Sequence, residues 1–311
     1  MVSWQKCWAA MMIRTTHIVR AAAWSAAVSL CALSFSASAN PQGGVIAAGQ
    51  ASITEAGTKL DIHQQSNKVV IDWRGFDIAP DEHTEFHQPD SRAIALNRVN
   101  SSSASQINGK LTANGNVVIV NQNGVMFGRG AQIDVNGIVA STADIDNDAF
   151  MHDPLLAFDR KGKADATISN EGTITAKEAG LVGFVAPNVV NDGVIMANLG
   201  RAHLASGDTA TVDFYGDGLM QVAVSSDVRS QMVRNAGTIE ANGGKIALTA
   251  AAGKDIVNSL IVAKGVLKAQ TVGVRNGEII ISAAGSNAVK GNVAAASCAS
   301  VVRIWAKVRH R

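Results

Sequence analysis

The chain has 311 residues, of which 47% are apolar but only 5% aromatic, and it contains 29 glycines. Small and branched residues therefore supply most of any core. This favours many tight turns around a narrow Val, Ile and Ala interior over the bulky core of an enzyme. The net charge of +2 comes from the ends, because residues 40–288 carry 19 basic against 25 acidic residues. This acidic body argues against binding to nucleic acid or to an anionic membrane surface.

Residues 1–39 have the pattern of a cleavable, extended signal peptide. The first part is basic without acids, Ala21–Phe35 is apolar, and Ala37-Ser38-Ala39 fits the small-x-small cleavage rule. The apolar run is short for a membrane span. Two of the three cysteines lie in this segment and leave Cys298 alone, so the exported chain is expected to form no internal disulfide.

The mature chain begins with a Gly-, Ala- and Gln-rich stretch, residues 40–58, which predicts a loose start or cap. Lys59–Asp72 predicts two short strands around a polar turn at Gln64–Lys68. Trp73 and Phe76 follow in the largest apolar cluster of the chain. We therefore predict that these two aromatic residues cap the open first coil of the fold.

The segment from Pro80 to Pro89 predicts a turn-rich connection. It contains His83 and His87, four residues apart with Glu85 between them. On a helix such a pair could bind zinc, but the prolines oppose a helix and the order differs from H-E-x-x-H. In a strand the two histidines would share a face but lie far apart. We predict solvated loop histidines and no metal site.

The stretch Val117–Thr142 sets the pattern of the fold. Short apolar strands alternate with corners at 121–124, at 128–130 and at Asn136-Gly137. Asn and Gly tolerate left-handed backbone, so each corner turns the chain sharply. A chain that turns after every short strand can wind into a solenoid with each strand above its counterpart one coil earlier.

Six segments with a shared apolar–Asn–strand–Gly pattern support the solenoid. Their spacing predicts coils of about 20 residues, with the largest gap, from Asn191 to Asn235, taken as about two coils. Asparagines at one corner of successive coils are expected to form an amide ladder. The anchoring residues are Asn108, Asn170, Asn191, Asn235, Asn258 and Asn276, with a weaker copy at Asn136.

Two segments depart from the repeats. The acids and Pro154 in Ser141–Lys163 predict a surface excursion or a short helix outside the stack, and Asp144, Asp146 and Asp148 only imitate a calcium loop. Residues 286–311 are basic and resemble no coil. They are predicted to be an irregular tail, either disordered or the end of a truncated reading frame.

Between about residues 45 and 143 the chain contains six motifs in order: Ile71-x-Trp73-x-x-Phe76-x-Ile78, Phe86-x-Gln88-Pro89, Ala95-Leu96-Asn97-Arg98-Val99, Ser105-x-Ile107-x-Gly109-x-Leu111, Asn121-x-Asn123-Gly124-Val125-x-Phe127-Gly128 and Val139-Ala140-Ser141-Thr142. Together they resemble the haemagglutination-activity (secretion) domain of filamentous haemagglutinin-type exoproteins, the exported members of two-partner secretion systems. The family often has Pro at the position of Gln122.

The resemblance implies an all-β fold, a right-handed parallel β-helix, to which the residues themselves add the expected N-terminal cap. It implies a secretion domain over residues 40–167, and the repeat pattern predicts continuing β-helix repeats over 168–285. It also implies recognition by an outer-membrane β-barrel transporter with POTRA domains, and passage through the periplasm to the surface or exterior of a Gram-negative bacterium. Parallel strands pair slowly, which would keep the chain unfolded for threading.

The same resemblance implies a non-catalytic adhesin that needs no cofactor, with a host-cell receptor or glycan as a second partner. A cytolysin or contact-dependent toxin is the alternative role. The residues linked to secretion competence are Asn121, Asn123, Gly124, Phe127, Gly128, Asn136 and Gly137.

Two other classes fit the residues less well. A β-helical polysaccharide-degrading enzyme would need clustered acids or basic residues on one face, whereas the repeats show mostly Thr, Asn, Lys and Ala at outward positions. A membrane barrel with hairpin turns would need aromatic girdles, which Trp73, Tyr215 and Trp305 cannot form.

Overall fold

The computed structural model describes residues 40–215, 220–223, 230–251, 258–270, 272, 278–283, 286–289, 292–294 and 301–306. The signal-peptide prediction for residues 1–39 and the ladder position predicted for Asn276 lie outside these residues.

The described chain consists of short strands and one helix. The first part contains β1 (Val45–Ala48), β2 (Ala51–Ala56), β3 (Lys59–Gln64), β4 (Lys68–Trp73), β5 (His83–His87), β6 (Ile94–Val99), β7 (Ser105–Ile107), β8 (Lys110–Ala113), β9 (Asn116–Val120), β10 (Gly124–Phe127), β11 (Gln132–Val135), β12 (Gly137–Ser141), α1 (Asn147–His152), β13 (Leu156–Phe158), β14 (Thr167–Asn170) and β15 (Thr173–Ala176). The second part contains β16 (Leu181–Ala186), β17 (Asn188–Asn191), β18 (Val194–Met196), β19 (Arg201–Ser206), β20 (Thr209–Val212), β21 (Gln221–Ala223), β22 (Ser230–Asn235), β23 (Thr238–Glu240), β24 (Lys245–Ala250), β25 (Asn258–Ala263), β26 (Val266–Lys268), β27 (Glu278–Ala283), β28 (Ser286–Val289), β29 (Asn292–Ala294) and β30 (Val301–Ala306).

All of these strands except β13, β20 and β21 stack into three long sheets, and from β7 onward each coil of the chain adds one strand to each sheet in turn. Sheet 1 has the order β1-β4-β6-β9-β12-β16-β19-β24-β27-β30, sheet 2 the order β7-β10-β14-β17-β22-β25-β28, and sheet 3 the order β2-β3-β5-β8-β11-β15-β18-β23-β26-β29. From β3 onward the neighbours within these sheets run parallel, with β9, β12 and β16 in continuous register. The predicted parallel β-helix is confirmed.

The middle strands of sheet 1 are buried on both faces, and this explains the unbroken apolar runs of the sequence. In β9, β12, β16 and β19 every residue is buried, whereas β15 and β18 of sheet 3 alternate between buried and half-buried residues. Inward residues of all three sheets form the central core. In the sequence, a strand buried on both faces appears as a continuous hydrophobic run, and a strand buried on one face appears as an alternation of apolar and polar residues.

A second layer covers the outer face of sheet 1. The predicted excursion forms α1 and β13, and Phe150, Leu156 and Phe158 pack on outward residues of sheet 1 such as Val118 and Val139. Asp146 caps the start of α1 by accepting hydrogen bonds from backbone N–H groups. The short helix outside the stack is thus confirmed, and the layer it belongs to was not predicted.

The long gap between Asn191 and Asn235 is one coil rather than two. These residues are direct partners in the parallel pair β17–β22. The extra length includes β20, which pairs antiparallel with β13 outside the stack, and β21, which pairs antiparallel with β20. An insertion at a corner lengthens a coil without adding a layer to the solenoid.

The structure contains the predicted amide ladder, but the ladder joins fewer asparagines than predicted. Asn170 donates to the Oδ1 of Asn191 at 2.8 Å, and Asn191 donates to Asn235 at 2.7 Å. All three side chains are fully buried. The same column holds Phe127 before the ladder and Ala263 after it.

The other described asparagines predicted for the ladder lie elsewhere, which corrects the prediction. Asn108 follows Ile107, the residue that occupies the column one coil before Phe127. Asn258 pairs with Ser230, and Asn136 sits at the corner between sheets 3 and 1. The repeat pattern alone does not fix register, because the strands before the Asn differ in length.

The cap consists of β1 and β2, which pair antiparallel with β4 and β3. Trp73 and Phe76 lie beneath it as core residues, with their rings edge to face at 5.6 Å. Ile53 of β2 packs against this core from outside. The two aromatic residues predicted as the cap therefore fill the first coil, and the antiparallel strands close it.

Two further predictions are corrected by the strands. The segment Pro80–Pro89 contains β5, parallel to β3 and β8, so His83 and His87 lie on a strand rather than in a loop. The tail predicted to be irregular contains β28, β29 and β30, which extend sheets 2, 3 and 1 in parallel. Both segments lack the Asn–Gly corners on which the sequence reasoning relied.

The stack also continues without a break across residues 167 and 168, because β14 pairs with both β10 and β17.

Candidate functional site

The first predicted motif lies at the corner between sheets 1 and 2. Asn121 follows β9 and is fully buried. Its Nδ2 donates to the carbonyl of Ser103 and to the hydroxyl of Ser105, both at 3.0 Å, and its Oδ1 accepts from the backbone N–H of Asn123 at 2.9 Å. Asn121 thus joins its own turn to the serine loop one coil earlier.

Asn123 and Gly124 complete this turn. Asn123 is half-buried and donates to the carbonyl of Ser101 at 2.8 Å. Gly124 has φ +114°, and a Cβ there would overlap the carbonyl oxygen of Thr167 in the next coil. The position therefore requires glycine, both for its backbone conformation and for the close stacking of coils.

The remaining motif residues lie at the next two corners. Phe127 is fully buried and stacks on Phe184 with 5.6 Å between ring centroids. Gly128 faces the side chain of Asn108, where a Cβ would collide. Asn136 donates to the carbonyl of Ser91 at 2.9 Å and to the side chain of Asn116 at 3.1 Å, against which Gly137 also packs.

The predicted residues therefore lie together in one coil, but they differ in solvent exposure. Asn121, Gly124, Phe127, Gly128 and Gly137 are buried and shape the corners. Asn123 and Asn136 are half-buried, and Gln122 and Arg129 in the same coil are exposed. A partner of the folded domain can reach only this second group.

A second cluster, which the sequence reasoning missed, lies on the outer face of sheet 3. His63 and His87 are direct partners in β3 and β5, as are Asp61 and Glu85. The two imidazole rings stack at 4.4 Å with 12° between their planes. His87 Nε2 lies 2.8 Å from Asp61 Oδ1. The available signal was the acid-x-His pattern at 61–63, repeated at 85–87.

The carboxylates of this cluster are held in the ionised form. The hydrogen bond to His87, followed by that to Lys59, lowers the pKa of Asp61. The hydrogen bond from Lys59 lowers the pKa of Glu85. The Lys59 ammonium bridges both carboxylates at 2.9 and 2.8 Å. His83, on the same face, hydrogen-bonds to Thr112 in the next coil instead.

One buried histidine stands apart from both clusters. His203 in β19 is 1% exposed, its Nε2 lies 2.9 Å from the hydroxyl of Thr249, and burial lowers its pKa to about 4. Its Nδ1 has no hydrogen-bond partner among the described residues. This ring is therefore neutral at physiological pH.

The fold and these corners define the class of protein, a capped three-sheet β-helix with a lateral layer on one face. No helix among the described residues has the length and apolarity needed to cross a bilayer. The family model for the TPS secretion domain, where TPS denotes two-partner secretion, matches residues 37–295. The chain belongs to the TPS secretion domain family.

Two relatives and one solved structure support this assignment. The chain is 37% identical over 249 residues to a heme/hemopexin-binding protein of Haemophilus influenzae, across 78% of this chain and 27% of that protein. A second heme/hemopexin-binding protein of H. influenzae is 35% identical over 251 residues, across 72% of this chain and 26% of the other. The crystal structure of the HMW1 secretion domain from H. influenzae matches with a TM-score of 0.66 and 27% identity, covering 82% of this chain and 73% of that one.

The chain spans about a quarter of the length of these relatives. Membership of the family defines it as the secretion domain of a two-partner exoprotein, with an outer-membrane transporter as the partner that the domain implies. Exoproteins of this family are secreted across the outer membrane of Gram-negative bacteria.

Proposed function

We propose that this domain directs an adhesin-type exoprotein to its transporter and that the POTRA domains of the transporter read the corner formed by residues 121–128. The family match over residues 37–295 carries the proposal. The domain performs no catalysis in this role, and the protein reaches the cell surface or the exterior after passage through the periplasm.

Within the corner we assign two different roles. The buried residues Asn121, Gly124 and Phe127 fix the path of the chain through hydrogen bonds and packing. Asn123, together with exposed Gln122, supplies amide groups that a transporter strand or loop can contact. Asn136 offers a further half-buried amide at the corner between sheets 3 and 1.

The relatives favour a second candidate for the exported cargo. Both are named heme/hemopexin-binding proteins. The exoprotein would then bind a haem-carrying host protein rather than a cell-surface receptor or glycan. Binding of purified, secreted full-length protein to immobilised hemopexin, compared with binding to host cells, distinguishes these two targets.

The recognition role is tested by Asn123→Ile in cells that co-express the chain with its barrel transporter. Export, measured as the fraction of the protein outside the cell, should fall severalfold, with accumulation in the periplasm. The matched control is Asn188→Ile. Asn188 is also half-buried at the corner between sheets 1 and 2, and it donates to a backbone carbonyl one coil earlier, that of Asp165.

Stability separates recognition from folding in this experiment. Both variants lose a bond from the side-chain amide to a backbone carbonyl, and Asn123→Ile also loses the 3.2 Å hydrogen bond from its Nδ2 to Asn121 Oδ1. The denaturation midpoint of the purified domain should therefore fall somewhat further in Asn123→Ile than in Asn188→Ile. An export defect in Asn123→Ile that is much larger than this difference in midpoint supports recognition. Equal export of both variants would rule out Asn123 as a contact for the transporter.

A further inference from the structure

We propose that Asp61, His63 and His87 form a binding site for a divalent transition metal ion of the zinc type, on the outer face of the first two coils. Among the described residues, one possible ligand atom from each of these three side chains lies within 4.8 Å of the ligand atoms of the other two. Two imidazoles and a carboxylate are a ligand set that suits Zn²⁺ and Cu²⁺.

Strand register creates this constellation. Asp61 and His63 are two residues apart on β3 and share its outer face, and His87 lies directly beside His63 on the parallel strand β5. Two donors bound to one zinc ion at about 2.0–2.1 Å lie roughly 3.4 Å apart in a tetrahedral arrangement. Small side-chain rotations of these half-buried and exposed residues are enough to reach it, without movement of the backbone.

The charges nearby indicate how the ion would enter. Asp61 and Glu85 are ionised, and the Lys59 ammonium lies between their carboxylates. A divalent ion would take over the 2.8 Å contact between His87 Nε2 and Asp61, and would push Lys59 toward Glu85 and solvent.

The site would join two neighbouring coils. Because β3 and β5 belong to successive layers of sheet 3, its ligands come together only after these layers have paired. Metal binding would therefore stabilise the pairing of the first coils, next to the cap, by mass action. This inference does not depend on recognition by a transporter.

The test is titration of Zn²⁺ into the purified full chain after chelator treatment, by isothermal calorimetry, with Cu²⁺ as a spectroscopic probe in electron paramagnetic resonance. We expect one ion per chain and coupling of Cu²⁺ to two nitrogens. His63→Ala and His87→Ala should each weaken binding by more than about 100-fold and remove one nitrogen coupling, since even loss of a supporting group costs about 10–100-fold.

Three further variants make the test decisive. His152→Ala, which removes an exposed ring on α1, should bind as tightly as the unaltered chain. Asp61→Asn should weaken binding at least about tenfold. Lys59→Met, which removes a competing cation, should strengthen binding about threefold or more. Absence of saturable one-to-one binding, or equal affinity in the His63, His87 and His152 variants, would overturn the proposal.

Discussion

The buried histidine His203 should make the stability of the β-helix sensitive to acid. Its ring is 1% exposed and its pKa is lowered from 6.5 to about 4 by burial. The folded state therefore holds the ring neutral, while the unfolded chain takes up a proton below pH 6.5. The stabilising contribution is full above pH 6.5 and is lost as the pH falls toward 4.

The size of this loss follows from the two pKa values. Each pKa unit is worth about 1.4 kcal/mol, so the full effect is about 3 kcal/mol at and below pH 4. At pH 5 the unfolded state is mostly protonated and the folded state mostly neutral at this site. The expected loss of unfolding free energy between pH 7.5 and pH 5 is then about 2 kcal/mol from His203 alone.

Guanidinium unfolding followed by far-ultraviolet circular dichroism measures this effect in the wild type and in His203→Gln. The glutamine amide can keep the hydrogen bond to Thr249 but does not titrate. Other titrating groups are common to both proteins and cancel in the comparison. The wild type should lose about 2 kcal/mol more than the variant between the two pH values. Equal losses would show that the ring is accessible to water and would refute the reasoning.

Three substitutions test the stacking of coils. Asn191→Ala removes one hydrogen bond from each of the buried side chains of Asn170 and Asn235 and should cost about 2–6 kcal/mol of unfolding free energy, measured by guanidinium denaturation. Gly124→Ala forces a side chain into a backbone oxygen at φ +114° and should lower the denaturation midpoint more than Gly57→Ala, where φ is +62° but the space is open. Arg98→Met removes the 2.8 Å ion pair with Asp144 and should expose the segment around α1 to limited proteolysis, because a buried carboxylate is left unpaired.

Each of these substitutions has a clear contrary result. Asn191→Ala should be far more costly than Asn188→Ala on the same strand, and equal costs would mean that the ladder adds nothing beyond a corner hydrogen bond. Equal midpoints for the two glycine variants would mean that the corner at Gly124 relaxes easily. Unchanged cleavage of the Arg98 variant would show that packing alone holds the lateral layer.

The winding of the chain could be predicted because its determinants are local. Asn121–Gly124 forms its corner through the backbone preferences of Asn and Gly and through a hydrogen bond within the turn, from the backbone N–H of Asn123 to Asn121. Asn136-Gly137 has the same backbone preferences. The continuous run Val117–Val120 even contained the sign of a strand covered on both faces. The run does not show what covers the outer face of the strand, because the covering residues come from insertions that do not follow the repeat pattern.

The register between coils was the part that could not be predicted. An insertion between β19 and β22 made one coil seem to be two, and only the pairing of Asn191 with Asn235 shows otherwise. The same limit hid the cluster of Asp61, His63 and His87. Possible metal ligands on different strands come together only when the register places one coil directly on the next. Spacing along the sequence instead pointed to His83 and His87 as the pair to consider.

The antiparallel strands β1 and β2 have a consequence for growth of the stack. A new coil needs a neighbouring strand of the same direction as a template, and this end presents a reversed edge instead. Layers of the same kind can therefore be added to the stack only at the end opposite the cap. An identical chain that meets the capped end finds no parallel edge on which to continue the coil, which disfavours end-to-end joining of the solenoid with its own copies.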